Sequence, residues 1–299
     1  MTSFQQNILE LIRESATPVR PTSNSQTWKD FSPLIEMVKD KSFILLGEAT
    51  HGTHEFYEAR VEITKRLIID HGLNAIAIEG DWPSAYRVNK YVRWQGHDTN
   101  ANDALADFKR FPMWMWRNTV ILEFVNWLRK HNEGLPSHKQ VGFYGLDMYS
   151  MYESVDAVLE YLDRVDPVAA VGARERYGCL DHVGNERHYG YGVTLGRHSS
   201  CEDEVVKQLI ELRERSMAYA SDELSDDDQF QAEQNAHLIK SAESYYRQMF
   251  DSWVNTWNLR DTHMIETLDN LHQYLSAKTN NFAKIASSAT HHGSQRQII

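Results

Sequence analysis

Three short apolar runs separated by segments of helix length constrain the fold of this chain more than any other feature of its sequence. Ser42-Phe43-Ile44-Leu45-Leu46-Gly47 ends on glycine and suits a buried strand, as do Ala75-Ile76-Ala77-Ile78 and Val141-Gly142-Phe143-Tyr144-Gly145-Leu146. Between the first two, Glu55 to His71 places Phe56, Ala59, Ile63, Leu67 and Ile68 at helical spacing, with Gly72 where a C-cap falls. Pro83 to Trp94, with proline in its first turn, and Val120 to His131 are the helices expected before the third run. Strands separated in this way are too far apart in sequence for tight hairpins. They predict βαβ units: an α/β fold with a mainly parallel sheet flanked by helices.

After Met151 the pattern changes. Tyr152 to Val165, Val205 to Leu224, Gln231 to Phe250 and Asp261 to Leu275 carry helical periodicity with few strand signals between them. Ser225 to Asp228 reads as an acidic hinge or solvated turn. The expected organisation is a first part of the α/β core over 1–150, a large helical insertion or cap over 151–280, and the start of a returning core strand over 281–299. Phe282-Ala283-Lys284-Ile285 begins that strand, but the run from Ser287 to Gln297 is small and polar, and nothing after Ile285 is expected to complete a core.

Charge and cysteine content narrow the function classes. Against 42 Asp and Glu stand 31 Lys and Arg, a formal net charge of −11, so no basic face for nucleic acid or an anionic membrane is expected. The amino-terminal stretch has Glu10 and Glu14 within its apolar periodicity and reads as an amphipathic helix, not a signal peptide. No apolar stretch approaches the roughly 20 residues that cross a bilayer, so a soluble, cytoplasmic chain is expected. Cys179 and Cys201 are too few for a disulfide framework or a four-cysteine zinc module, and neither has a histidine partner at a strand end.

Ligands of open α/β sheets bind beyond the carboxyl ends of the strands. There the first strand delivers Gly47-Glu48-Ala49-Thr50-His51-Gly52-Thr53-His54-Glu55, the second Glu79-Gly80-Asp81-Trp82 and the third Asp147-Met148-Tyr149. Carboxylates on three strand ends, with histidines beside the first, suit an imidazole base oriented by an acidic neighbour. Glu48 and His51 fit those two roles. The bland alternative is a helix start capped by Thr50 or Thr53, with Glu55 in the first turn.

A competing use is a divalent metal, for which His51, His54, Glu48, Glu79 and Asp147 offer ligands. Their spacing is not diagnostic, and no HExxH motif is present. Arg60, one turn into the next helix, either reaches back to the strand ends or lies solvated with its stem on Phe56 or Tyr57. Trp116, in the run Phe111-Pro112-Met113-Trp114-Met115-Trp116, is a candidate cleft wall, although core packing is the default for such residues. Tyr245, Tyr246, Trp253 and Trp257 on the helical part are candidates for the facing wall. His54, Asp147, Trp82 and Trp116 are thus the substrate-contacting candidates. Asn258-Leu259-Arg260-Asp261-Thr262-His263-Met264 reads as a helix start, with Asp261 as its cap. No G-x-S-x-G elbow, P-loop or G-x-G-x-x-G occurs, which argues against standard serine hydrolase, NTPase and Rossmann dinucleotide readings.

In combination and in order, Leu46 to Phe56, Ala77 to Pro83, Tyr144 to Ser150 and Asn258 to Met264 resemble the erythromycin esterase family. The resemblance runs from about Ser32 to Leu275 and is nearest to the bacterial branch that includes proteins labelled for succinoglycan biosynthesis. It implies hydrolysis of an ester, such as a macrolide lactone, by activated water without an acyl-enzyme. It also implies His51 as general base, with Glu48, Arg60 and Glu79 shaping the site and no cofactor beyond the open question of a divalent metal. One departure stands out. The family's late strand ends in a His-Asn-x-His element, and here Thr290 and Gly293 occupy the histidine positions. A truncated or frame-shifted carboxyl end is expected from this. The alternative to an active hydrolase is then a catalytically incomplete or metal-holding relative that binds a ligand through its helical cap.

Overall fold

In a computed structural model of the chain, the described residues are 3–16, 31–47, 49–110, 113–180, 185–219, 223–250, 255–279 and 281–288. In chain order they form α1 (Ser3–Ser15), α2 (Ser32–Val38), β1 (Phe43–Leu45), α3 (His54–His71), β2 (Ala75–Asp81), α4 (Trp82–Val92), the short α5 (Ala101–Ala104) and α6 (Thr119–His131). Then follow β3 (Gly142–Asp147), α7 (Met151–Val165), α8 (Pro167–Tyr177), α9 (Glu186–Thr194), α10 (Glu202–Glu214), α11 (Ser216–Tyr219), α12 (Glu223–Gln248), α13 (Thr256–Thr279) and β4 (Ile285–Ser288). The fold is α/β. Its four strands are all parallel, in the order β1-β4-β2-β3.

Strand alternation divides the core into two layers. Ala75, Ala77, Tyr144, Leu146 and Ile285 face one apolar cluster together with α7, α8, α10, α12 and α13. Ile76, Ile78, Phe143 and Ala286 face the other with α2, α3, α4 and α6. Because both faces are covered, strand residues are buried in succession, which is why these runs are continuously apolar in sequence. α3 ends on Gly72 at φ +65°, with its amide bonded to the Leu67 carbonyl, as its position after the periodic run implies.

Three expectations are corrected. The returning strand does not stop at Ile285: β4 continues through Ala286, Ser287 and Ser288, all buried. It fills the gap between β1 and β2, where ladder bonds on both edges satisfy its backbone and small side chains fit between the helical layers. Ser225 to Asp228 is no solvated turn but part of α12. Asp227 is buried there against Arg93 at 2.9 Å and Lys278 at 2.6 Å, with the Tyr274 hydroxyl as a third partner. Asp261 lies within α13 and caps nothing at its start.

Cys179 and Cys201, although too few for a framework, form one disulfide with a Cα–Cα distance of 6.0 Å. The chain turns back through α9 between them, a proximity that a separation of 22 residues does not reveal. The remainder of the carboxyl end, Thr290 and Gly293 included, lies outside the described residues. Among the described residues, no helix is long and apolar enough to cross a membrane.

His263, next to the Arg260 motif, packs against His237 of α12 with ring centroids 5.0 Å apart. Burial holds both below the usual imidazole range, His237 at about 4, and the cations Lys240 and Arg213 reinforce the effect on His237. Arg260 and Lys240 act the same way on His263. Glu266 lies 3.4 Å from His237 Nε2, but it is half exposed, and its screened pull is weaker than burial. Both rings are therefore neutral in the folded chain. The unfolded chain binds more protons between the ordinary imidazole value near 6.5 and about 4, so stability falls as pH is lowered through that window. The slope is roughly 1.4 kcal/mol per pH unit per ring at most. Urea midpoints at pH 7 and pH 5 test this: His237→Gln should show the shallower loss, and an equal loss in both proteins refutes it.

Candidate active site

Three strands and one helix bring their polar residues to a single cavity of about 120 Å³ at the carboxyl edge of the sheet. Its lining includes His51 from the turn before α3, Glu79, Gly80 and Asp81 from the end of β2, and Asp147 and Tyr149 from the end of β3. Arg260 of α13 and Arg110 close it on the polar side, and Phe108, Met113, Met115 and Trp116 on the apolar side. Two glycines permit this geometry. Gly52 adopts φ +83° and lies where a Cβ would meet the Trp114 indole nitrogen at 2.9 Å. At Gly145 a Cβ would lie 2.5 Å from the Gly80 carbonyl, beside the register shift between Ile78 and Asp81. Any side chain there would push β3 away from β2 and separate Asp81 from Asp147.

Arg260 organises the floor. Its Nε donates to Asp147 Oδ1 at 2.9 Å, and its Nη2 donates to Asp147 Oδ2 and to Glu79 Oε1, both at 2.6 Å. All three side chains are buried. Burial alone would pull the guanidinium down, but the bonds and charge of Asp147, with Tyr149 and Glu79, outweigh it and hold Arg260 above its usual value. One guanidinium thereby compensates two buried carboxylates, which would otherwise be costly to keep from water.

Asp81 and Arg110 form the second ion pair, Nε to Oδ2 at 3.2 Å, and Arg110 also donates to the Tyr149 carbonyl at 2.5 Å. Burial pushes the Asp81 carboxyl up to about 6, against the pull of Arg110 and with the added repulsion of Asp147. Burial likewise raises the Tyr149 phenol, as does the neighbouring Asp147, so the hydroxyl stays protonated.

Of the residues singled out in the sequence, His51, Glu79, Asp147 and Trp116 line the cavity. The Trp116 indole donates to the Glu79 carbonyl at 2.7 Å and so ties the apolar wall to β2. Glu48 lies outside the described residues. Arg60 is buried but stands behind the wall: its guanidinium is 4.6 Å from the Tyr57 ring centroid and 5.9 Å from that of Trp116, and it donates to Ser288 Oγ. His54 is not brought to the cavity. It pairs with Glu58 at 3.1 Å on the exposed face of α3. Trp82 is not there either, because its side chain turns into the helical layer, 5.8 Å from Tyr144 and 5.9 Å from Phe230, with its indole bonded to Gln231. Tyr245 stands behind Tyr149 with ring centroids 5.6 Å apart, and Trp253 lies outside the described residues.

Sequence reasoning missed Arg110 and assigned no role to Asp81, Tyr149 or Arg260. Asp81 and Tyr149 lay within the strand-end motifs, and Arg260 stood in a motif read as a helix start. Arg110 follows Phe108 in a stretch with no regular pattern, so no local signal points to it.

The cavity's donor set bears on the metal reading. Glu79 and Asp147 are engaged by Arg260, and His54 is elsewhere. Among the described residues, no group of three His, Cys, Asp or Glu is placed to hold a metal ion.

Comparisons with known proteins place this geometry in a family context. The family model described as erythromycin esterase matches residues 68–292. A curated Escherichia coli protein, erythromycin esterase type II, is 25% identical over 139 residues, covering 46% of this chain and 31% of that protein. The chain thus spans about a third of that relative's length. Among solved structures, a succinoglycan biosynthesis protein superposes with a TM-score of 0.68 at 18% identity, over 96% of this chain and 67% of its own. A Bacillus cereus protein follows at 0.66 and 19%, over 96% and 65%. An erythromycin esterase point mutant, EreC in its open conformation, superposes at 0.62 and 18%, over 86% and 63%. At these identities, the structural matches show the shared fold.

Proposed function

Because the chain belongs to the erythromycin esterase family, which supports a hydrolase-like activity, we propose that it hydrolyses a carboxylic ester by attack of water, with His51 as general base. One observation carries this reading: His51 shares a small cavity with the Arg260-bridged carboxylates Glu79 and Asp147. A bound ester carbonyl within that cavity would place a water beside the imidazole, and the proton would pass from that water to a His51 ring nitrogen. Glu79 and Asp147, held by Arg260, form a rigid anionic floor to the cavity that His51 shares. Arg60 works through contact with Trp116 and Ser288 and so positions the wall and β4 without touching substrate.

The proposed substrate is a small molecule, with a macrolide lactone as the family's example. A cavity of about 120 Å³ admits only the reacting end of such a body. The remainder would lie over the rim, where Met113 and its neighbour Trp114 are 47% and 46% exposed. Trp114→Ala should then raise KM for a bulky lactone about tenfold, the effect of losing roughly half a tryptophan's burial, while KM for a short-chain ester changes little. Equal changes in both would remove the rim from the proposal. The activity itself is tested by incubating the full chain with a lactone and with simple esters, and following the gain of one water by mass spectrometry. No hydrolysis of any of them refutes it.

A further inference from the structure

The last residues of β2 and β3 set two carboxylates side by side, for Asp81 is the register partner of Asp147. Like charges placed opposite one another on neighbouring strands repel. The two are treated unequally. Arg260 grips Asp147 through two bonds, whereas Arg110 reaches Asp81 only through Oδ2. Asp81 Oδ1 is sealed from solvent and, among the described residues, has no hydrogen-bond partner, a costly state for a charged oxygen and a smaller cost for a protonated one. The lining holds the carboxylates of Glu79, Asp81 and Asp147 against the guanidinium groups of Arg110 and Arg260, an excess of one negative charge. A proton on the Asp81 carboxyl, whose side chain is 14% exposed, removes that excess and lowers the cost of leaving Oδ1 without a partner.

From this geometry we propose that Asp81 is a catalytic residue, the general acid that delivers a proton to the departing alcohol oxygen. The inference rests on the esterase reading of the same cavity. In the step, the bond from the tetrahedral carbon to the alkoxy oxygen breaks and its electron pair goes to that oxygen. The oxygen takes the Asp81 proton as the carbonyl re-forms, so that acid and alcohol leave. Asp81 is left as a carboxylate beside Arg110, and the proton that His51 took from water restores it through solvent. The raised Asp81 value of about 6 agrees with this role. Arg110, Asp147 and Glu153 are the charged groups that act on it, and Tyr246 from α12 faces it as a neutral phenol.

The test compares ethyl butyrate, whose alkoxide needs a proton to leave, with 4-nitrophenyl butyrate, whose phenolate does not. Asp81→Asn should lower kcat on the ethyl ester about 100-fold, with a loss at least tenfold smaller on the nitrophenyl ester. In the unaltered protein, kcat on the ethyl ester should fall as pH rises through about 6, because the acid must be protonated. That limb should vanish in Asp81→Asn and move to higher pH in Arg110→Gln, which removes the charge opposing protonation. Equal losses on both esters, or a limb that persists in Asp81→Asn, overturns the proposal while leaving the esterase reading intact. Failure of the unaltered protein to hydrolyse either ester overturns both.

Discussion

Replacing His51 with alanine is expected to lower kcat for ester hydrolysis by a factor of about 10² to 10⁴, the usual contribution of a positioned base. The fold should scarcely notice. His51 is half-buried in a turn, outside both apolar core clusters, so the unfolding free energy should change by less than about 1 kcal/mol. Imidazole added to the medium should restore part of the rate in His51→Ala, because the cavity vacated by the ring is open to small bases. A merely structural histidine would give neither the rescue nor a rate loss without loss of stability. Retention of full hydrolysis in His51→Ala removes the general base and, with it, the proposed mechanism.

The second large effect is thermodynamic. Arg260→Met leaves Glu79 and Asp147 as neighbouring buried carboxylates with their shared cation gone. Removing one partner from a buried ion pair costs about 3–5 kcal/mol, since the remaining carboxylates lose their compensating cation without regaining water. Urea unfolding monitored by tryptophan fluorescence measures the loss. The same substitution combined with Glu79→Gln and Asp147→Asn should recover more than half of that stability, because the carboxamides do not carry the stranded charge. Hydrolysis should not return, because the anionic floor beneath His51 is gone. A loss under about 1 kcal/mol for Arg260→Met would show that water reaches the carboxylates and that the triad is not the site's rigid base.

How far the sequence could be read follows from which contacts are local. Phe43 to Leu45, Ala75 to Asp81 and Gly142 to Asp147 are strands in the expected places, and α3 and α6 begin within a residue of theirs. Hydrophobic periodicity and a terminal glycine are properties of consecutive residues, and burial on both faces of the sheet leaves a continuous apolar run. α8 and α9 escaped notice: Ala169, Ala170, Ala173, Tyr189 and Gly190 bury small or isolated residues with no strong periodic stripe. Ser287 and Ser288 failed as strand signals for a related reason. A central strand is held by ladder bonds from both neighbours and does not need large side chains of its own.

The candidate site divides along the same line. By itself the sequence determined that carboxylates and a histidine stand at the ends of parallel strands, because strand polarity and the loop that follows are written in adjacent residues. Only the tertiary structure decided which of them face the cavity. Trp82, adjacent to Asp81, turns into the helical layer, and His54, three residues from His51, turns to solvent, because each pair straddles the boundary where a strand end or turn gives way to a helix and the backbone direction changes. Likewise, only folding brings Arg260 across from α13 to Glu79 and Asp147, separated from them by 181 and 113 residues. Such long-range charge compensation leaves no local pattern, since each partner's need for the other arises only once both are taken out of water.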